Sequence, residues 1–372
     1  MSTAATRSDA RLDAAVESVD VHVCRVPTDE PESDGTLEWE STTIVVVEAH
    51  AGGNTGIGYT YCESAAGELI RATLADVVCG SDALDVRAAW LAMTQRVRNA
   101  GRPGIAFCAV SAIDQALWDR KARTLGVSLV DLLGAAHEDV PVYGSGGFCT
   151  YSLDRLREQL GGWASQGIPR VKMKLGREPD ADPKRLDVAR RAIGDDTELF
   201  VDANGAFTAK DALGWAERYA DEWNVSWFEE PVSSGDFDGL RMLREHGPGG
   251  LDIAAGEYAY TPEDARNIVE CVDVLQLDVT RCLGITGVLS ASGLANAHGK
   301  DVSAHCAPAI SAHAFCAVER RRHLEYFHDH IRIEELLFDG RPELRDGALH
   351  PDRSRPGNGL ELKRKELDKW SA

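Results

Sequence analysis

Lysine is scarce in this chain of 372 residues: nine of its forty basic residues are Lys, set against sixty Asp and Glu for a formal charge of −20 at neutral pH. The resulting field repels phosphate backbones and anionic headgroups, so neither nucleic acid nor a membrane surface is an expected partner. Long apolar runs are missing too. No stretch nears the ~20 residues a membrane helix needs, and Met1 to Arg11 has no apolar signal core behind it. The nine cysteines are odd in number and never form a CxxC pair, which argues against a disulfide framework or a zinc ribbon. These absences describe a cytoplasmic protein with reduced thiols and a frayed tail over residues 1–15. What remains, 44% hydrophobic and 27% charged, can build one large domain or two ordinary ones.

Residues 16–138 read as an α+β unit. Val19 to Cys24 is strand-like, Thr28 to Glu40 an acidic loop, Thr43 to Glu48 alternates, and Gly52 to Gly58 is a Gly-rich turn; apolar positions at three-to-four spacing then predict helices over 68–79, 82–98 and 105–123. After a boundary near Gly134 to Asp139 the pattern changes. Eight short apolar runs, at Val142–Ser145, Arg170–Leu175, Glu198–Val201, Ser226–Phe228, Leu251–Ala254, Val274–Leu277, Val302–Ala304 and His323–Phe327, alternate with amphipathic segments. That rhythm over 139–330 predicts repeated βα units closed into a barrel rather than an open doubly wound sheet. The tail, 331–372, is charged and strand-poor and is expected to return to the first domain.

A barrel gathers its chemistry at the C-terminal ends of its strands. The polar residues ending these runs are Lys174, Asp202, Glu229, Glu257, Asp278, His305 and Glu325, at intervals of 28, 27, 28, 21, 27 and 20 residues. Asp202, Glu229 and Glu257 would converge, and three adjacent carboxylates stay ionised only around a cation. All-oxygen ligation suits Mg²⁺, with Mn²⁺ as a substitute. Glu230 adjoins Glu229, and the sequence alone does not choose between them. Alternation over Val171 to Leu175 places Lys172 and Lys174 on one face, where Lys172 and a dication would depress the pKa of Lys174 and make it a general base. Asp278 would orient His305 as a second acid/base group opposite. Such a pair around a metal is equipment for removing a proton α to a carboxylate, with a protonated Glu325 as hydrogen-bond donor. Among the lesser candidates, His328-Asp329-His330 could lie along a strand and bind metal, with a structural role favoured; Cys306 and Arg281 are expected to pack or pair at the barrel rim.

These motifs carry a resemblance. Val171-Lys172-Met173-Lys174, Val201-Asp202-Ala203-Asn204, Phe228-Glu229-Glu230-Pro231, Ala255-Gly256-Glu257, Gln276-Leu277-Asp278 with His305, and His323-Leu324-Glu325 resemble the motif set of the enolase superfamily, mandelate racemase subgroup. The resemblance implies a (β/α)7β TIM-like barrel under an α+β capping domain made by the N-terminal region and the C-terminal tail. It implies Glu229 as the ligand of its pair, Asn204 beside substrate, and Thr28–Glu40 with Tyr59–Ala66 as loops closing over the site. Asp278 stands where the muconate-lactonizing branch carries a second lysine, and Leu277 and Leu283 replace a usual Pro and Gly. The expected reaction is dehydration of an acid sugar to a 2-keto-3-deoxy acid. The alternatives are a 2-hydroxy-acid racemase or epimerase and a catalytically silent metal-binding scaffold. The expected assembly is a homo-oligomer, dimer or octamer.

Overall fold

The computed structural model describes residues 15–372. The expected tail over 1–15 therefore lies outside the described residues except for Ala15, which bridges to Asp82. Strands β1 (Ser18–Ser33), β2 (Glu38–Ala51) and β3 (Asn54–Tyr61) form an antiparallel sheet in that order. Successive residues of β2 serve two cores. Ile44 and Val46 pack into the core shared with the barrel, whereas Val45 and Val47 join the apolar cluster of the cap helices. Helix α1 (Phe107–Leu125) lies directly on β3, and the contact requires glycine: a Cβ on Gly56 or Gly58 would come within 2.1 Å of the carbonyl oxygen of Ala116 or Ala112.

The acidic stretch Thr28 to Glu40 is not a loop. β1 continues to Ser33 and β2 begins at Glu38, leaving a short turn in which Asp34 Oδ1 accepts the N–H groups of Thr36 and Leu37, each at 2.7 Å. The pairing shifts register between Pro27 and Glu32, so a bulge carries the hairpin past its prolines. Its tip is fastened to the barrel by the Cys149 N–H on Ser33 O, 2.8 Å, and by Arg177 on Glu38, 2.6 Å.

Eight parallel strands follow: β4 (Val140–Gly146), β5 (Arg170–Lys174), β6 (Glu198–Asp202), β7 (Val225–Glu229), β8 (Asp252–Ala255), β9 (Val274–Leu277), β10 (Asp301–Ala304) and β11 (Arg321–Phe327). Each pairs with the next, and β11 pairs with β4, so the sheet closes. Helices α2 (Leu153–Ser165), α3 (Asp182–Ile193), α4 (Ala209–Trp223), α5 (Phe237–His246), α6 (Pro262–Ile268), α7 (Gly284–Ala297) and α8 (Pro308–Phe315) alternate with them. Outward-facing Val171, Met173, Val201 and Phe228 are buried in the core shared with these helices.

Helix α9 (His328–Leu337) follows β11 at once, so His328-Asp329-His330 opens a helix rather than a strand and the 330/331 division falls inside it. The tail also holds short strands, β12 (Phe338–Asp339), β13 (Glu343–Arg345), β14 (Ala348–His350) and β15 (Glu361–Leu362), so it is richer in strand than its composition predicts. β14 adds antiparallel to β4, while helix α10 (Arg364–Lys369) reaches the cap, where Arg364 grips Glu48 and the Arg25 N–H meets Trp370 O at 2.9 Å. Among the described residues no helix is long and apolar enough to cross a membrane, and all nine cysteines are free.

Candidate active site

Strand alternation fills the barrel interior with two layers. The floor is Tyr143, Phe200, Trp227 and His323, with ring centroids 4.8–5.4 Å apart for the Tyr143–His323, Trp227–His323, Phe200–Trp227 and Tyr143–Phe200 pairs. Two residues further along the same strands stand Ser145, Asp202, Glu229 and Glu325, all fully buried. Lys172 rises from β5 between the layers, its ammonium 5.3 Å from the Tyr143 ring centroid.

One oxygen each of Asp202, Glu229 and Glu257 lies within 4.8 Å of the others. Glu229, not Glu230, is fixed into this group. Its Oε2 accepts the indole N–H of Trp227 at 2.9 Å and its Oε1 contacts Lys172 Nζ, while the backbone at Glu230 turns left-handed, φ 37°. Burial and the Asp202 carboxylate push Glu229 up to about 8 despite Lys172. The shortfall of positive charge is local to Glu229: despite burial, the lysines hold Asp202, and His305 with Arg281 holds Glu257, below the ordinary carboxylate range. Glu257 Oε1 accepts from Arg281 Nη1 at 3.2 Å, whereas its Oε2 is buried without a hydrogen-bond partner. Arg281 also lies 3.5 Å from Asp278, so it bridges two site carboxylates instead of merely packing at the rim.

Lys172 and Lys174 share one face and Lys172 lowers the pKa of Lys174 as expected, but other neighbours reverse the net shift. Lys172 is enclosed by Glu229, Asp202 at 3.1 Å and Glu325 at 2.8 Å. Lys174 Nζ donates to Asp202 Oδ2 at 2.5 Å. Burial works against its charge, yet the carboxylates of Asp202, Glu325 and Glu229 together outweigh burial and Lys172 and hold Lys174 above the ordinary lysine range. The protonated Glu325 is corrected as well: burial favours its neutral form, but Lys172 and His305 overcome burial and keep it ionised, far below the usual carboxylate range.

Across the trio, His305 Nδ1 is 2.7 Å from Asp278 Oδ2, and Asp278 is held by the Thr280 N–H and hydroxyl at 2.6 and 2.7 Å. His305 Nε2 faces Glu257 Oε2 at 3.3 Å. Burial disfavours the imidazolium, but Cys306, Glu257, Glu325 and Asp278 around it raise the pKa of His305 well above its ordinary value. Asn204, at φ 45°, gives its N–H to Asp202 Oδ1 at 3.0 Å and keeps a buried Oδ1 unpartnered.

Lys174, Asn204, Glu257, His305 and Glu325 open onto a cavity of about 390 Å³ whose other wall is the cap hairpin and the end of β3, including Trp39, Ser41, Tyr61 and Glu63. Arg25 on β1 is a wall residue that sequence reasoning passed over, its Nε 2.8 Å from Ser41 Oγ. A cation set among Val23, Cys24 and Val26 was the available signal. His330 also lines this cavity, its ring stacked on Tyr61 at 3.4 Å between centroids.

Residues 18–134 match the N-terminal domain family of mandelate racemase and muconate lactonizing enzyme, and residues 155–366 match the enolase C-terminal domain-like family. The chain belongs to the mandelate racemase/muconate lactonizing enzyme family. Among its relatives, the L-talarate/galactarate dehydratase of Salmonella typhimurium is 31% identical over 92% of this chain and 88% of its own. The crystal structure of a mandelate racemase/muconate lactonizing enzyme-like protein from Rubrobacter xylanophilus superposes with a TM-score of 0.95 at 58% identity, covering 96% of this chain and 100% of that one. The Salmonella dehydratase liganded with Mg and L-lyxarohydroxamate gives 0.88 at 28% identity, over 100% of this chain and 96% of that one. The family's two-domain plan, a cap over a barrel mouth, is the arrangement found here.

Proposed function

We infer that this protein is a Mg²⁺-dependent acid-sugar dehydratase. The reading is carried by one observation: Lys174 and the Asp278-supported His305 flank a trio of buried carboxylates on opposite sides, at the foot of a cavity large enough for a sugar acid. The talarate/galactarate dehydratase relative supports the same class of reaction.

Asp202, Glu229 and Glu257 would hold the Mg²⁺. An all-oxygen donor set, a charge deficit around Glu229 and the unpartnered Glu257 Oε2 fit that ion. When bound, it supplies positive charge where the substrate carboxylate becomes more negative. Lys174, whose proton the Asp202 carboxylate retains, would serve as a base where that carboxylate's charge is balanced. Lys174 or His305, according to the configuration at C2, takes the α-proton; Lys172, sealed beneath the cavity among Glu229, Asp202 and Glu325, lowers the pKa of Lys174 beside it. Glu325, ionised against Lys172, keeps that ammonium in place. His305 then protonates the departing 3-hydroxyl, and tautomerisation of the enol yields the 2-keto-3-deoxy acid. Asn204 Oδ1 is placed to accept a substrate hydroxyl.

The test is a screen of aldonic and aldaric acid stereoisomers with Mg²⁺ for 2-keto acid formation. The reading predicts turnover of at least one stereoisomer. No 2-keto product, together with α-hydrogen exchange of a 2-hydroxy acid in D₂O, would assign a racemase or epimerase instead.

A further inference from the structure

We propose that His305, Cys306 and Glu325 form a second metal site in the same bowl, one that takes a thiophilic divalent cation of the Zn²⁺ class rather than Mg²⁺. An imidazole nitrogen, a sulfur and a carboxylate oxygen lie here within 4.8 Å of one another, all on buried residues. Cys306 Sγ is 3.4 Å from His305 Nε2 and 3.1 Å from Glu325 Oε2, and that oxygen is 3.4 Å from His305 Nε2. Tetrahedral zinc, with Zn–S of about 2.3 Å and Zn–N or Zn–O of about 2.0 Å, separates its donors by roughly 3.3–3.5 Å, so small adjustments seat the ion. The thiol is what makes this donor set softer than the oxygen trio nearby.

Two independent features aim these donors at a ligand. Asp278 engages Nδ1 of His305 at 2.7 Å, which turns Nε2 into the cluster; carboxylate support of this kind commonly backs histidines that bind zinc. The backbone contributes as well. Cys306 and Ala307 are both left-handed, φ 51° and 46°, and this turn returns the thiol toward the preceding imidazole. As the metal binds, the thiol proton and the Nε2 proton of His305 both leave to solvent. With Nε2 occupied, His305 can no longer move a proton, so the metal blocks turnover; that consequence alone rests on the function proposed above.

The experiment titrates the full chain, in excess Mg²⁺, with Cd²⁺ as an optical probe. One equivalent is expected to produce an ultraviolet thiolate-to-metal charge-transfer band that Cys306→Ser lacks and Asp202→Asn retains. Asp278→Asn should weaken binding by about 10–100-fold. No band, a band unchanged in Cys306→Ser, or one abolished by Asp202→Asn in a folded protein overturns the site. X-ray absorption on the wild type loaded with one equivalent of Zn²⁺ needs no variant: one sulfur among nitrogen and oxygen neighbours supports the proposal, and a shell without sulfur sinks it. If the Cys306-dependent band forms while Mg²⁺-dependent turnover continues, the metal site stands and the role of His305 in catalysis falls.

Discussion

The floor and the bowl of the barrel are built by the same strands two residues apart, and they have opposite physics. Phe200, Trp227 and His323 make a dry aromatic layer; Asp202, Glu229 and Glu325 above them, with the two lysines, concentrate charge in an equally buried layer. Hydrophobic burial and ring packing stabilise the first. Taking ions out of water works against the second, even when they are paired. Strand alternation forces the two into contact, so the floor offsets the strain of the bowl and sets its position. Trp227 joins them, because its ring belongs to the floor while its N–H reaches Glu229.

That division can be broken from either side. The largest effects belong in the bowl: Lys174→Ala and His305→Asn should each lower kcat by about 10²–10⁴-fold, with circular dichroism and melting close to wild type. A variant that unfolds instead would show the bowl to be structural. Trp227→Ala should cost about 3–5 kcal/mol of stability, read by denaturant unfolding. Trp227→Phe should keep most of that stability and weaken Mg²⁺ binding measured by calorimetry, since it leaves Glu229 without its N–H donor. Arg25→Ala, on the cap wall, should raise KM for an acid sugar by roughly 10-fold while leaving Mg²⁺ affinity unchanged. The smallest effect concerns the join between cap and tail. Burial opposes ionisation of Glu48, but His22 and Arg364 hold its pKa at about 2, below the ordinary 4.5. Its contribution to stability is therefore present above pH 4.5 and lost as pH falls toward 2. Glu48→Gln should melt below wild type at pH 7, with the gap closing over that interval; a constant gap would deny the ion pair its role.

Legibility in the sequence followed the same division. Asp202 and Glu229 end short β-branched or aromatic runs and Lys174 ends a run that alternates Val and Met with lysine, and the βα spacing alone put them in one phase. The interior alternation that carries them is a period-two pattern, visible without tertiary knowledge. The hairpin over Thr28 to Glu40 was hidden because its pairing runs through two prolines and a bulge, and because buried Glu32 reads as a loop residue. α8 is buried on every side with no polar face to show a helical period, so only its place between two strand runs announced it. Left-handed Asn204, Glu230, Leu283, Cys306 and Ala307 carry no glycine to announce them, although they aim or surround the site. The charge states of Lys174 and Glu325 depend on which neighbours lie within 3 Å, which spacing along the chain does not contain.

The bond between β4 and β11 has a temporal consequence. A nascent chain that has emerged as far as Glu257 already owns all three carboxylates, yet the ring of strands has no closing partner until Arg321–Phe327 arrives to meet Val142–Ser145. Nearly two hundred residues must be synthesised before the first barrel strand meets the strand that closes the ring, so competence for the ion should switch on late and all at once, as a clock for completion of the barrel.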